Sequence, residues 1–144
     1  MKTLKQVRAA LFLLVLWAVA MPAHAALAII VHPGNSLSGI TADEAADIYL
    51  AKAGVFANGK RVIPVDQAAS SPMRKKFYSA VIKKDDSTLK VYWSKLMFTG
   101  KANPPREIGD DAAVKSWVAS NPDAIGYVDG KFVDSSVKVL LIIP

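Results

Sequence analysis

Two serines and three cations within eight residues form the part of this sequence best suited to bind a ligand. The stretch SSPMRKKF runs from Ser70 to Phe77. Ser71 followed by proline predicts a helix start, because a serine side chain caps free backbone N–H groups and proline fits the first helical position. Arg74 and the two lysines after it then fall in the first helical turn, where the helix dipole disfavours positive charge.

The other predicted helix starts carry acids instead. They are the segments TADE, DDS and DDAA at residues 41–44, 85–87 and 110–113. A bound anion would make the basic turn favourable, because hydroxyls, free backbone N–H groups and an arginine fork are the donors that a tetrahedral oxyanion requires. We therefore predict an oxyanion site formed by Ser70, Ser71 and Arg74. The alternative is a solvated basic helix face in which the second serine is a plain cap.

No other combination of residues indicates catalysis or metal binding. His32 is the one histidine after residue 25, which leaves no Ser-His-Asp set and no metal-ligand spacing. The sequence has no cysteine, which excludes disulfides, thiol nucleophiles and zinc thiolates. Asp85 and Asp86 are interpreted as helix-start residues rather than as a carboxylate pair. We expect neither an enzyme nor a cofactor.

The first 25 residues have the pattern of a secretory signal peptide. Three basic residues precede the apolar run AALFLLVLWAVA, and AHA at 23–25 is a small-x-small cleavage site. The apolar run is shorter than the ~20 residues of a membrane span. We predict cleavage after Ala25, which would leave an exported domain of residues 26–144.

Cleavage at this position would change the charge balance. It removes three of the 18 basic residues and none of the 12 acidic ones, so the net charge falls from +6 to +3 (15 − 12). The remaining lysines are scattered and are not interleaved with aromatic residues, so we expect no nucleic-acid partner. A chain of 119 residues is long enough for one domain with an ordinary core.

Apolar patterning predicts an alternation of strands and helices. LAIIVH at 27–32 is typical of a buried strand, and RVIPV at 61–65 predicts a short strand in which Pro64 favours an edge position or an early end. TGKANPPREIG at 99–109 is predicted as a polar loop. Three closing strands are predicted for AIGYV, GKFV and VKVLLI, at 124–128, 130–133 and 137–142.

Four helices are predicted between these strands. The first begins with a capping box formed by Thr41 and Glu44, and the others begin near residues 71, 85 and 110. Apolar residues at helical spacing are expected to face the core; they are Met73, Phe77, Val81, Leu89, Trp93, Leu96, Met97, Val114, Trp117 and Val118.

The order of these motifs resembles the periplasmic phosphate-binding protein of the phosphate ABC transporter, in particular its short stand-alone relatives. The resemblance covers nearly all of residues 26–144. Ser71, Arg74 and Phe77 coincide with the S, R and F of the family pattern SGTrxxF, and residues 124–128 reproduce aIGYv.

This resemblance implies an α/β fold: a single-lobe type 2 periplasmic-binding-protein-like domain with a mixed sheet flanked by about four helices. It implies that the chain is a periplasmic protein that binds phosphate or a related oxyanion in phosphate uptake or sensing. An ABC transporter permease or another envelope membrane complex is the implied partner. Two residues of the predicted oxyanion site, Ser71 and Arg74, fall in the family's ligand loop.

The sequence also departs from the family pattern. Pro72 and Met73 stand where the family has glycine and threonine, and Gln67 stands where its ligand-clamping arginine tends to be. Full binding proteins are about twice as long and close two lobes over the ligand. These departures favour the alternative function, an envelope adaptor or interaction module on the same fold with no small ligand.

Overall fold

Five strands and four α-helices alternate along residues 25–144, the part of the chain that the computed structural model describes. The strands are β1 (Leu27–Val31), β2 (Ile63–Gln67), β3 (Arg106–Gly109), β4 (Ala124–Asp129) and β5 (Lys138–Ile143). The helices are α1 (Ala42–Tyr49), α2 (Pro72–Phe77), α3 (Asp86–Phe98) and α4 (Asp111–Ser120), and a π-helical segment (Tyr78–Ile82) directly continues α2. The predicted α/β class with about four helices is confirmed. The predicted signal peptide lies outside the described residues, except for Ala25.

The strands form one mixed sheet in the order β3-β2-β4-β1-β5. β1 is antiparallel to both of its neighbours, while β2 is parallel to β3 and β4. Leu27, Ile29 and Val31 belong to a first core, which they share with α1, α2 and α3. Ala28 and Ile30 belong to a second core on the other face of the sheet, which they share with α4. Because both faces of β1 are buried, its sequence is a continuous apolar run.

The helices that follow β2 and β3 lie on opposite faces of the sheet. α2 follows β2 and joins the first core through Met73 and Phe77, and α4 follows β3 and joins the second core through Val114 and Val118. In α/β sheets a crevice opens at the carboxyl ends of neighbouring strands whose connections diverge in this way. The topology therefore places a crevice at the ends of β2 and β3.

Local capping explains where the helices begin. Thr41 and Glu44 form the predicted capping box of α1. Asp85 caps α3 and Asp110 caps α4, each through a side-chain oxygen that accepts a backbone N–H three residues further on. The interpretation of Asp85 as a helix-start residue is confirmed. None of the helices within residues 25–144 is long and apolar enough to cross a membrane.

Two of the predictions for short segments are wrong. β3 lies within 99–109, which was expected to be a loop; a four-residue strand draws its backbone hydrogen bonds from β2 and needs no apolar pattern of its own. GKFV was expected to be a strand, but Gly130–Phe132 forms a 3₁₀ turn. The side chain of Asp129 accepts a hydrogen bond from the backbone N–H of Lys131 and so holds this turn.

Neither alternative predicted for Pro64 holds, because β2 lies between β3 and β4 and continues past the proline to Gln67. Pro64 pairs with Ile125 of β4, but the ladder between β2 and β3 begins only at Val65. At the level of Pro64 the strand therefore has a partner on one side only. A residue without an N–H donor is tolerated there for the same reason that it is tolerated at a sheet edge.

The predicted core positions hold with two exceptions. Most are buried in the first or second core, and Leu96 packs against the first. Met97 is 47% exposed, because α3 buries a narrow stripe centred on Leu89 and Trp93. Trp117 is only partly buried, and the guanidinium of Arg106 covers its ring at 5.1 Å.

Gly126 of β4 allows α4 to approach the sheet closely. A Cβ atom at this position would lie 2.7 Å from Val114 Cγ1 and 3.0 Å from Val118 Cγ2. We expect Gly126→Ala to lower the free energy of unfolding by ~1 to 3 kcal/mol through overpacking. Urea denaturation measures this, with Gly54→Ala as the control, because a Cβ at Gly54 meets no atom within 4 Å. Equal stabilities of the two variants would contradict this account of the α4 packing.

Candidate functional site

The carboxyl end of β2 carries two buried polar residues. Asp66 is 2% exposed and Gln67 is fully buried. The chain then turns, and Ser71 caps α2 by accepting a hydrogen bond from the backbone N–H of Arg74 at 3.3 Å. Proline at position 72 supplies the φ angle that the first helical residue needs. This tight connection brings Arg74 next to the side chain of Asp66.

The hydroxyl of Ser71 is used within the protein as both donor and acceptor. It donates to Oε1 of Gln67 at 2.5 Å, in addition to accepting the N–H of Arg74. The side-chain nitrogen of Gln67 donates to the Asp111 carboxylate and to the carbonyl of Tyr127, both at 2.9 Å. Gln67 therefore ties the start of α2 to β4 and α4, at the position where the resemblance implies a ligand-clamping arginine.

The carboxylate of Asp66 is saturated by internal partners. Oδ1 accepts hydrogen bonds from the backbone N–H of Gln67 at 2.9 Å and from the hydroxyl of Tyr127. Oδ2 accepts one from the hydroxyl of Tyr78 at 2.6 Å and lies 3.5 Å from Nε of Arg74. A carboxylate offers about four acceptor positions. Hydrogen bonds fill three of these positions and the Arg74 guanidinium faces the carboxylate as well, so Asp66 holds its neighbours in place.

Arg74 uses one side of its guanidinium inside the protein. Nε faces Asp66 in an ion pair without a well-formed hydrogen bond, and Cζ lies 4.6 Å from the centre of the Tyr78 ring. Within residues 25–144 the two terminal nitrogens, Nη1 and Nη2, donate no hydrogen bond, and neither is among the buried unpaired atoms. These two nitrogens are therefore accessible donors on an arginine whose orientation is fixed.

Arg74 lines a cleft with a volume of ≈ 250 Å³. Asp66 and Glu107 contribute from the ends of β2 and β3, which is the crevice that the topology predicts. The π-helical segment, the first turns of α3 and two prolines before β3 supply the walls through Tyr78, Asp86, Leu89, Lys90, Trp93, Pro104 and Pro105. The cleft thus contains charges of both signs and one aromatic wall.

The charge of Asp66 shapes the protonation of the tyrosines around it. Burial, followed by the negative charge of Asp66, raises the pKa values of Tyr49, Tyr78 and Tyr127 well above their usual value. Burial alone would lower the pKa of the Arg74 guanidinium, but Asp66 and the tyrosines outweigh it and raise that pKa overall. The site is therefore a cationic arginine held by a carboxylate and neutral tyrosine hydroxyls.

The three residues of the predicted oxyanion site have different surroundings. Ser70 is exposed in the turn before α2, Ser71 is committed to Gln67, and Arg74 lines the cleft. The α-helical part of α2 is only six residues long, so its three cations lie in the last turn as well as the first. The helix dipole is therefore a poor reason to expect an anion here, and the placement of Arg74 is the better one.

Sequence reasoning missed Asp66, which organises the site. Its main partners, Tyr78 and Tyr127, are 12 and 61 residues away along the chain. One signal was present in the sequence: a carboxylate followed by an amide at the end of an otherwise apolar strand must find partners when it is buried. His32 lies in a turn where its Nδ1 accepts the backbone N–H of Gly34 at 3.0 Å.

Comparison with known proteins identifies the fold. No protein-family model and no curated protein matches the sequence. Solved structures do match, among them a substrate-binding protein assigned to a phosphate ABC transporter of Clostridium perfringens, crystallised with bound phosphate. The TM-score is 0.64 at 23% identity, over 81% of this chain and 45% of that one.

Two further structures match over the same share of this chain. One is an ABC-type phosphate transport receptor from Vibrio cholerae, with a TM-score of 0.61 and 21% identity, and the other is PstS from Borrelia burgdorferi, with a TM-score of 0.61 and 15% identity. In both cases 81% of this chain aligns with 47% of the solved chain.

The chain therefore has the fold of one lobe of a periplasmic binding protein of the phosphate type, which confirms the fold class expected from the sequence. It spans slightly less than half of the length of the solved proteins that it matches. Sequence identities of 15 to 23% establish a shared fold. The ligand and the partners of this chain are inferred below from its own residues.

Proposed function

We propose that this chain is an exported, non-catalytic binding domain that takes phosphate or a related oxyanion in the cleft beside Arg74. The observation that carries this proposal is the placement of Arg74: its Nε is held by Asp66, its two terminal nitrogens are accessible, and the residue lines the cleft. Such a fixed fork matches two oxygens of a tetrahedral anion. The phosphate bound to the matching Clostridium perfringens protein supports the same ligand class.

The arrangement also limits the affinity. Ser71 and Gln67 are bonded to each other, so the anion would rely on Arg74 and on the nearby Lys90 rather than on a closed ring of donors. A single lobe leaves the ligand partly in water, where charge-assisted contacts are weakened by the high dielectric constant. We therefore expect weaker binding than a two-lobed protein would achieve, unless a second chain covers the cleft.

Substitution of Arg74 tests the proposed site. We expect Arg74→Ala to weaken phosphate binding roughly ten- to a hundredfold, because one charge-assisted contact is worth ~1.5 to 3 kcal/mol. Titration calorimetry of the purified protein with phosphate and with sulfate measures this. Arg74→Lys is a second variant, which keeps a positive charge next to Asp66 but removes the fork, and it should lose part of the affinity.

Lys76 provides the control for that experiment. Its Nζ donates to the backbone carbonyl of Ala25, and it lines a different surface from the cleft. Lys76→Ala should change phosphate affinity only slightly and in a salt-dependent way, through the long-range field. Equal effects of Lys76→Ala and Arg74→Ala, or no binding by the wild-type protein at millimolar concentrations, would contradict the proposal.

Export and transporter association complete the proposed function. The sequence pattern of residues 1–25 supports cleavage after Ala25 and a periplasmic location. The matched structures come from phosphate ABC transport systems, which supports an ABC transporter permease or another envelope complex as partner. Mass spectrometry of the protein recovered from a periplasmic fraction should give the mass of residues 26–144. A protein recovered only from the cytoplasm at the mass of the full chain would overturn this part.

A second candidate function, the adaptor without a small ligand, is favoured by the outer face of α3. Val91 and Phe98 are seven residues apart, so they share one face of the helix, and they are 70% and 93% exposed. Exposed large apolar side chains that lie together are typical of protein contact sites. If no oxyanion binds to the wild-type protein, the adaptor function replaces the binding function.

A further inference from the structure

Two carboxylates line the cleft side by side, the buried one of Asp66 and the exposed one of Glu107. Asp66 of β2 and Glu107 of β3 are register partners in the parallel strand pair, so their side chains leave the same face of the sheet. The preceding pair, Val65 and Arg106, faces α4, where Arg106 stacks on Trp117. Like charges directly opposite each other in neighbouring strands are destabilising.

Only one of these two carboxylates has a cationic partner. Arg74 neutralises Asp66, whereas no cation lies within 4.0 Å of Glu107 in residues 25–144. Two more charges line the same cleft, Asp86 and Lys90, and neither is part of an ion pair among the described residues. The charges of Asp66 and Arg74 neutralise each other. The cleft therefore keeps one positive charge, on Lys90, and two negative charges, on Asp86 and Glu107.

A bare phosphate dianion is therefore an incomplete match for this cleft. It would accept hydrogen bonds from the terminal nitrogens of Arg74, but the negative charge of Glu107 would repel it. A ligand that carries its own cation would remove the mismatch.

Building on the function proposed above, we infer that the cleft binds a zwitterion in which an oxyanion is joined to an amine by a short linker. The oxyanion accepts from Nη1 and Nη2 of Arg74, and the ammonium group pairs with Glu107. Trp93 and the two prolines before β3 give the linker an apolar wall, and the ring of Trp93 is a favourable neighbour for a cation. A volume of ≈ 250 Å³ suits a molecule smaller than a drug-sized ligand.

A matched pair of ligands tests this inference. Phosphorylethanolamine and propyl phosphate have nearly the same shape, and they differ in that an ammonium group replaces a methyl group. We expect titration calorimetry to show phosphorylethanolamine binding about fivefold more tightly to the wild-type protein, the gain that one exposed ion pair provides. Glu107→Gln should abolish this preference, and it should improve the affinity for propyl phosphate, because it removes a negative charge from the cleft.

Asp43→Asn is the control for Glu107→Gln. It removes one negative charge as well, but Asp43 is exposed at the start of α1 and does not line the cleft. The preference for the amine should be unchanged in Asp43→Asn.

Equal affinity for the two ligands, or a preference that persists in Glu107→Gln, would overturn the inference while the proposed oxyanion binding stands. If phosphate, propyl phosphate and phosphorylethanolamine all fail to bind, the proposed function itself is wrong.

The same chemistry occurs in free phosphorylated amines and in lipid headgroups, and a second arm of the experiment separates these sources. Co-sedimentation with phosphatidylcholine vesicles, with and without phosphatidylethanolamine, measures binding to the headgroup. Retention that requires phosphatidylethanolamine and Glu107 would assign the site to lipid. Binding of soluble phosphorylethanolamine without vesicle retention would assign it to a free metabolite.

Discussion

Asp66→Ala is expected to lower the free energy of unfolding by ~3 to 5 kcal/mol, the range measured when one partner of a buried ion pair is removed. The substitution would leave three donors without their acceptor, namely the backbone N–H of Gln67 and the hydroxyls of Tyr78 and Tyr127, and it would leave Arg74 without its counter-charge. A loss of this size is a large part of the stability of a small domain. Urea denaturation followed by circular dichroism measures it.

Asp134→Ala is the matched control, because Asp134 also forms an ion pair. Its carboxylate lies 2.8 Å from Nζ of Lys115, but the pair is on the surface, where such pairs contribute little. We therefore expect Asp134→Ala to change the free energy of unfolding only slightly, whereas Asp66→Ala should lower it strongly. A similar, small effect of both substitutions would mean that Asp66 does not organise the site.

Alkaline pH is expected to destabilise the protein steeply. Tyr49, Tyr78 and Tyr127 have pKa values raised by burial and by the charge of Asp66, so the folded state keeps their protons after the unfolded state has begun to release them near pH 10. Stability from these groups is fully present below pH 10 and is lost as pH rises above it. Three protons correspond to a slope of about 4 kcal/mol per pH unit once the unfolded state is deprotonated.

Urea denaturation between pH 9 and pH 11.5 measures this slope. Tyr78→Phe should reduce it by about a third, to ~2.7 kcal/mol per pH unit, because one of the three linked protons is removed. The variant also loses the hydrogen bond to Asp66, so its stability at neutral pH should fall, but the slope is a separate readout. An unchanged slope in Tyr78→Phe would show that this hydroxyl is not linked to folding.

Sequence reasoning succeeded where the cause of a structure is local. The starts of α1, α3 and α4 follow from capping residues within one turn, and β1 follows from its uninterrupted apolar run. Sequence reasoning failed where a structure depends on residues that are distant along the chain. β3 exists because β2 lies beside it, and the exposure of Met97 depends on how much of α3 the remaining chain can cover.

The candidate site shows the same division. Arg74 was found because a basic turn next to a serine cap is visible in eight residues. The roles of Ser71 and Gln67 could not be found in this way, since each depends on contacts that the fold creates between β2, α2 and α4. Glu107 was placed in a loop, and only the register of β2 with β3 brings it next to Asp66.

Direct observation of the arginine side chains during a phosphate titration is the most direct test of the central proposal. In the protein labelled with ¹⁵N-arginine, the side-chain signals of Arg74 should shift with saturation as phosphate is added. The signals of Arg61, which does not line the cleft, should stay in place. Arg74 signals that remain unchanged at millimolar phosphate, or that shift in parallel with those of Arg61, would contradict an oxyanion site at this residue.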